Sequence, residues 1–209
     1  MSTADIASTE FKQRLIACDV RPGAFLTLKE ISALLGIPLG ATREVTQRLA
    51  REGFMTIYPQ RGIQIAPITV KRIRDAFGFR RMLETAAVAG FAETAPAPQI
   101  DHLIARAESI AAIDPDDPDF TAQVGEIDWE LHFAFIRHAG NEFLTEAYEV
   151  NATYIRWFRA NAAIPVTRHL EVMQEHLDIL QACKARDPAA AVDALGVHVD
   201  KSLQKALGA

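Results

Sequence analysis

The chain has 209 residues, 49% of them apolar, and a formal net charge of -5. That length supports one large or two small packed domains, and that composition excludes a disordered chain. Charge is uneven: residues 1–70 hold eight Lys/Arg against six Asp/Glu, a net of +2, while residues 71–209 hold fourteen against twenty-one, a net of -7. A basic first third and an acidic remainder imply two units with different partners. No apolar run reaches the roughly 18 residues of a membrane span, and the opening MSTADIASTEFKQRL lacks the apolar block of a secretion signal. The two cysteines, Cys18 and Cys183, stand far apart in helical contexts and suit reduced thiols in a cytoplasm.

Taken in chain order, residues 6–18 form a first helix on Ile6, Phe11, Leu15 and Ile16, and it stops at the turn RPG, 21–23. Thr27 with Glu30 three residues on is a capping box for a second helix, whose apolar stripe is Ile31, Leu34 and Leu35. GIPLG, 36–40, connects it to a third helix that runs to about Glu52 with Ala41, Val45 and Leu49 inward. Alternation then takes over: in FMTIYPQRGIQIAPI, 54–68, Met55 with Ile57 and Ile63 with Ile65 predict two strands joined at PQRG. This order predicts a winged helix-turn-helix over 1–69. From residue 70 onward there is no strand pattern. Helices are expected at about 70–94, 99–113, 117–139, 141–162, 167–186 and 188–207, with breaks at Pro, Gly or capping residues. The fold class is mainly α: a winged head followed by a six-helix bundle over 70–209.

The third helix turns Leu39, Arg43 and Gln47 away from its core side, with Thr42, Thr46 and Arg51 at the edges. The second helix of a helix-turn-helix enters the major groove of double-stranded DNA. Arg43 can fork onto a guanine edge and Gln47 onto an adenine. Arg48 and Arg51 lie further along, where phosphate contacts are made, and Arg61 sits at the hairpin tip before Gly62.

These residues carry a resemblance. Pro22-Gly23, Leu35-Gly36, Arg43-Glu44, Arg48-Leu49, Glu52-Gly53, and Pro59 with Arg61-Gly62 resemble the DNA-binding domain of GntR-family bacterial transcription regulators. The resemblance spans 11–67 and implies an operator-binding regulator. One position departs from it: the family's usual Ser-Arg-Thr-Pro type turn is replaced by Pro38-Leu39-Gly40-Ala41. Leu39 can touch a thymine methyl but forms no hydrogen bond, so the departure implies either an operator that differs from the family's common half-site or weaker base readout.

A second constellation lies in EIDWELHFAFIRHAGN, 126–141. Asp128 and His132 are four apart and share one helix face with Val124, Leu131 and Phe135. His176 sits at the centre of the stripe Val172, Met173, Ile179 and Leu180, and His198 follows Leu195 by three residues beside Lys201 and Ser202. Burying a carboxylate with imidazoles costs several kcal/mol unless they are paired or ligate something. Two readings fit the residues: core histidines satisfied by their neighbours, or an N3O set for a divalent metal such as Zn, Ni, Mn, Fe or Co. His102, His138 and His169 fall outside the set as surface or structural groups.

Residues 71–209 resemble the FCD domain, the helical effector domain of the FadR subfamily of GntR regulators, and six helices suit its VanR-like branch. The resemblance rests on RRMLE at 80–84, Asp128 with His132, AGN at 139–141, the run around His176 with RD at 186–187, and the late His198. It implies that Asp128, His132, His176 and His198 hold a divalent metal, zinc first, at the floor of a pocket. It further implies a homodimer and a small-molecule effector, a carboxylate that touches the metal. Arg80, Asn151, Tyr154 and Arg156 are the candidates to hold the rest of that molecule; the last three cannot all share one helix face. The family default is a repressor released by its metabolite. A metal-sensing regulator without organic effector is the alternative. A metal-dependent hydrolase would need a general base, and Glu130 and Glu175, the nearby carboxylates, are expected to point off the stripe face. No nucleophile motif, phosphate loop or dinucleotide fingerprint is present, so the chain is not expected to be an enzyme.

Overall fold

The computed structural model describes residues 3–162 and 165–208. By contacts it divides into two compact units. The first runs to Ile73 and includes Thr153–Asn161; the second comprises Arg74–Ala152 and the chain from Ala162 on.

The first unit holds α1 (Thr3–Ile16), β1 (Phe25–Leu26), α2 (Leu28–Leu35), α3 (Leu39–Arg51), β2 (Met55–Tyr58) and β3 (Gly62–Ile65). The capping box opens α2 as its sequence predicts: the Glu30 amide donates to Thr27 Oγ1 at 3.2 Å and the Thr27 amide to Glu30 Oε2 at 2.6 Å. The helix closes on Gly36 in the left-handed region, φ 63°. Pro38 then starts α3, whose fixed φ suits a first turn. Phe11, Leu15, Ile31, Val45, Leu49, Phe54 and Ile65 are fully buried and form the core. Leu34 and Ala41, expected inward, are half-buried, and Thr42 and Thr46 share the inner side of α3 instead.

The wing is a sheet of three strands, not the two-stranded hairpin expected. β3 lies between β2 and β1, with Met55 opposite Ile65, Ile57 opposite Ile63, and Phe25 opposite Gln64. β1 is two residues long, too short to show alternation; it exists because the central strand offers it an edge.

α4 (Val70–Thr94) begins in the first unit and continues into the second, which also holds α5 (Ala97–Ala111), α6 (Phe120–His138), α8 (Val166–Lys184) and α9 (Pro188–Ala206). α7 (Glu142–Ala160) starts in the second unit, and its part from Thr153 on belongs to the first. The breaks have local causes. Gly140 at φ 62° follows α6, Pro96 and Pro165 precede α5 and α8, and Asp187 caps α9 by accepting the Ala190 amide at 3.0 Å. α8 packs on α5, α6 and α9, and α6 on α5. Phe91, Val124, Ile127, Leu131, Phe135, Ile179, Leu180 and Leu195 are fully buried there. Among the described residues, no helix is long and apolar enough to cross a membrane.

Candidate metal centre and nucleic-acid face

On α3 the exposed residues Leu39, Arg43, Gln47 and Arg51 recur every four positions, which places them in one row on the outer side. A groove between this helix and the hairpin is lined by Arg43, Gln47, Tyr58, Gln60 and Gly62. Arg61 is exposed at the hairpin tip. Gly62 has φ 103°, and a Cβ there would meet the Leu26 carbonyl at 2.9 Å, so the tip demands glycine. Thr42 departs from the expected interface: it is fully buried and its hydroxyl donates to the Pro38 carbonyl at 3.0 Å. That bond turns it toward the core and tightens the first turn of the helix. Arg48 is half-buried and ion-paired to Asp5 and to Glu52, the latter at 3.3 Å, so its charge is already engaged within the unit.

The four proposed ligands converge. Asp128 and His132 come from α6, His176 from α8 and His198 from α9, and each is fully buried. One ligand atom from each lies within 4.8 Å of all the others. Asp128 Oδ1 is 3.2 Å from His176 Nε2 and 3.6 Å from His132 Nε2. No nitrogen of His132 or His176, nor His198 Nε2, has a well-aligned hydrogen bond, although all are buried. Buried polar atoms left in this way are costly, and a cation bound among them would satisfy them together.

Two carboxylates stand behind the cluster, and sequence pattern missed both. Glu84 on α4 places Oε2 2.8 Å from His132 Nδ1. Glu175 on α8 places Oε2 2.9 Å from His198 Nδ1. Glu175, expected to point off the stripe, is in fact buried because α9 packs over that side of α8. Glu130 does face outward, 3.5 Å from both His102 and Arg106. Burial opposes the charge of Glu84, but Arg80 and His132 outweigh it and hold the carboxyl at about 2. Burial lowers His176, and lowers His198 to about 3 against the pull of Glu175, so both are neutral lone-pair donors at neutral pH.

Arg80, also on α4, is fully buried; its Nε donates to Glu84 Oε1 at 2.8 Å, while Nη1 and Nη2 have no hydrogen-bond partner. Its guanidinium carbon lies 5.8 Å from the centre of the Trp129 ring. Tyr148 of α7 donates its hydroxyl to Glu84 Oε1, and burial pushes the phenol well above its usual range, so it stays neutral. The other effector candidates stand elsewhere. Asn151 donates to the Ala76 carbonyl at 3.1 Å. Tyr154 and Arg156 lie in the part of α7 that belongs to the first unit. There Tyr154 donates to the Glu52 carbonyl at 2.8 Å and stacks on Phe54 with ring centres 4.2 Å apart.

The FCD domain family matches residues 75–201, more than half of the chain and all of the cluster. The chain belongs to the FCD-domain, GntR-type transcriptional regulators. The HTH-type transcriptional repressor RspR of Escherichia coli K12 is 24% identical over 192 residues, 91% of this chain and 82% of RspR. Among solved structures, E. coli McbR/YncC superposes with a TM-score of 0.80 at 18% identity, covering 100% of this chain and 98% of that one. A GntR transcriptional regulator from Rhodococcus sp. RHA1 gives 0.77 at 20% identity, with 100% and 99% covered. As a GntR-type regulator the chain is a DNA-binding protein and not an enzyme.

Proposed function

We propose that this regulator is a homodimeric repressor whose hold on its operator is set by a small carboxylate bound beside a divalent cation, zinc first. The observation that carries the reading is the buried, convergent N3O set of Asp128, His132, His176 and His198, with the unpartnered Nη groups of Arg80 on the neighbouring helix. Imidazole and carboxylate donors together suit a borderline divalent ion. Such an ion, when bound, supplies a Lewis-acid contact for an anionic oxygen. Arg80 supplies two parallel donors, the geometry that grips a carboxylate. Charge supports the same class. Arg80 and a divalent cation would together place positive charge on the buried side of the site. An anionic ligand would offset that charge, and burial strengthens the attraction.

In the head, Arg43 and Gln47 are the base-reading candidates, with Leu39 toward a thymine methyl and Arg51 and Arg61 toward phosphates. Two heads on two half-sites follow from twofold assembly. The name of RspR as a repressor favours repression here. The carboxylate controls operator binding only to the extent that it binds the free and DNA-bound states unequally.

The test is a thermal-shift screen of small carboxylates on zinc-loaded and chelated protein. A hit should raise the melting temperature of the loaded protein only, and vanish in Arg80→Met. The same hit should lower the anisotropy of a labelled operator fragment. His176→Ala should fail to retain one equivalent of metal after dialysis; full retention would remove the basis of the reading.

A further inference from the structure

We infer that Glu175 is the positioning residue of the cluster: it fixes His198 as the Nδ1–H tautomer and leaves its Nε2 lone pair free to serve the cluster. The cation's part in this rests on the function proposed above; the tautomer does not.

Arg168 forks onto Glu175, Nη1 to Oε1 and Nη2 to Oε2, both at 2.7 Å. Lys201 Nζ adds a contact to Oε1 at 3.1 Å, and Arg168 Nη2 also reaches Ser202 Oγ at 3.3 Å. Arg168 is 3% exposed and Glu175 7%, so this ion pair is shielded and its geometry is not shared with solvent. The carboxylate is therefore held in one orientation before it meets the histidine. Its Oε2 accepts the hydrogen bond of the one N–H that a neutral imidazole carries, at 2.9 Å from Nδ1. The proton cannot then sit on Nε2, which is buried without a hydrogen-bond partner. An imidazole anchored in this way is a better donor than a free ring, and loss of such an anchor typically weakens metal affinity about 10- to 100-fold. Lys201 and Ser202, the polar neighbours of His198 in sequence, thus belong to the apparatus that aims it.

The experiment uses the full chain with 15N-labelled histidine. Long-range 1H–15N correlations on the metal-free protein should show His198 as the Nδ1–H tautomer. Glu175→Met should shift it toward the Nε2–H form and weaken zinc binding, measured by competition with a chromophoric chelator, by about 10- to 100-fold. Because that variant leaves Arg168 buried alone, Arg168→Met with Glu175→Met serves as the second variant, and the same two changes are expected of it. A wild-type spectrum showing Nε2–H overturns the inference whatever the metal does. An unchanged zinc affinity in a folded variant overturns it as well. A wild-type chain that takes up no zinc, yet shows the Nδ1–H form, removes the cation reading and leaves the Glu175 anchor standing.

Discussion

At the scale of single residues, spacing exposed the ligands and hid their supports. Asp128 and His132 are legible because four positions make one helical turn, and His176 because it interrupts a clean apolar stripe. His198 is harder to read, since Lys201 and Ser202 make its surroundings look wet. Glu84 and Glu175 could not be assigned from their own helices, because the atoms they serve arrive from α6 and α9. Glu84 also has a consequence for acid stability. Its carboxyl is held at about 2, below the ordinary value of 4.5. A depressed pKa contributes stability that is full above the ordinary value and is lost as pH falls through the folded one. Chelated wild-type protein should thus lose melting temperature between about pH 5 and 2. Glu84→Gln should melt lower at pH 7 and show a flatter slope across that window; an identical slope would contradict the pairing with Arg80.

At the scale of elements, α3 lies where its sequence pattern predicts, but its inner side is wider than that pattern implies. The sequence rule of Ala41, Val45 and Leu49 inward omitted Thr42, whose hydroxyl can bury itself by bonding the Pro38 carbonyl. The short β1 was invisible for the opposite reason: nothing within Phe25–Leu26 specifies a strand without β3 beside it. The exposed row on α3 separates two kinds of contact. Arg43→Ala should cost about 1–3 kcal/mol in operator binding and relax base preference at one position of each half-site. Arg51→Ala should weaken specific and random DNA alike and reduce the salt slope by about 1. Competition anisotropy over a salt series distinguishes them; a uniform loss for Arg43→Ala would move it to the phosphate class. The turn after α3 is similarly constrained. Gly53 has φ 83°, and a Cβ there would lie 2.7 Å from the Tyr154 hydroxyl. Gly53→Ala should therefore destabilise the protein by more than about 1 kcal/mol. Adding Tyr154→Phe should recover part of that loss in chemical denaturation.

At the scale of the whole molecule, the order of the sequence and the grouping of the packing differ. The strong signals, helix caps and prolines, marked every helix of the bundle to within a few residues, because chain breaks are local. Which unit a stretch of helix packs with is not local. The aromatic run of α7, Tyr154, Trp157 and Phe158, reads like any buried face. Yet Tyr154 stacks on Phe54, which is fully buried, and Trp157 lies tilted beside it. Residues 1–73 expressed alone should accordingly melt well below the same head carrying Thr153–Asn161 on a flexible linker, and should bind a hydrophobic dye that the longer version excludes; equal melting would show that the added segment is dispensable. Engineers who graft this reading head onto a foreign sensor would therefore have to import a short stretch of amino acids from the far side of the gene, since a simple cut at the start of α4 leaves the transplant with an open seam.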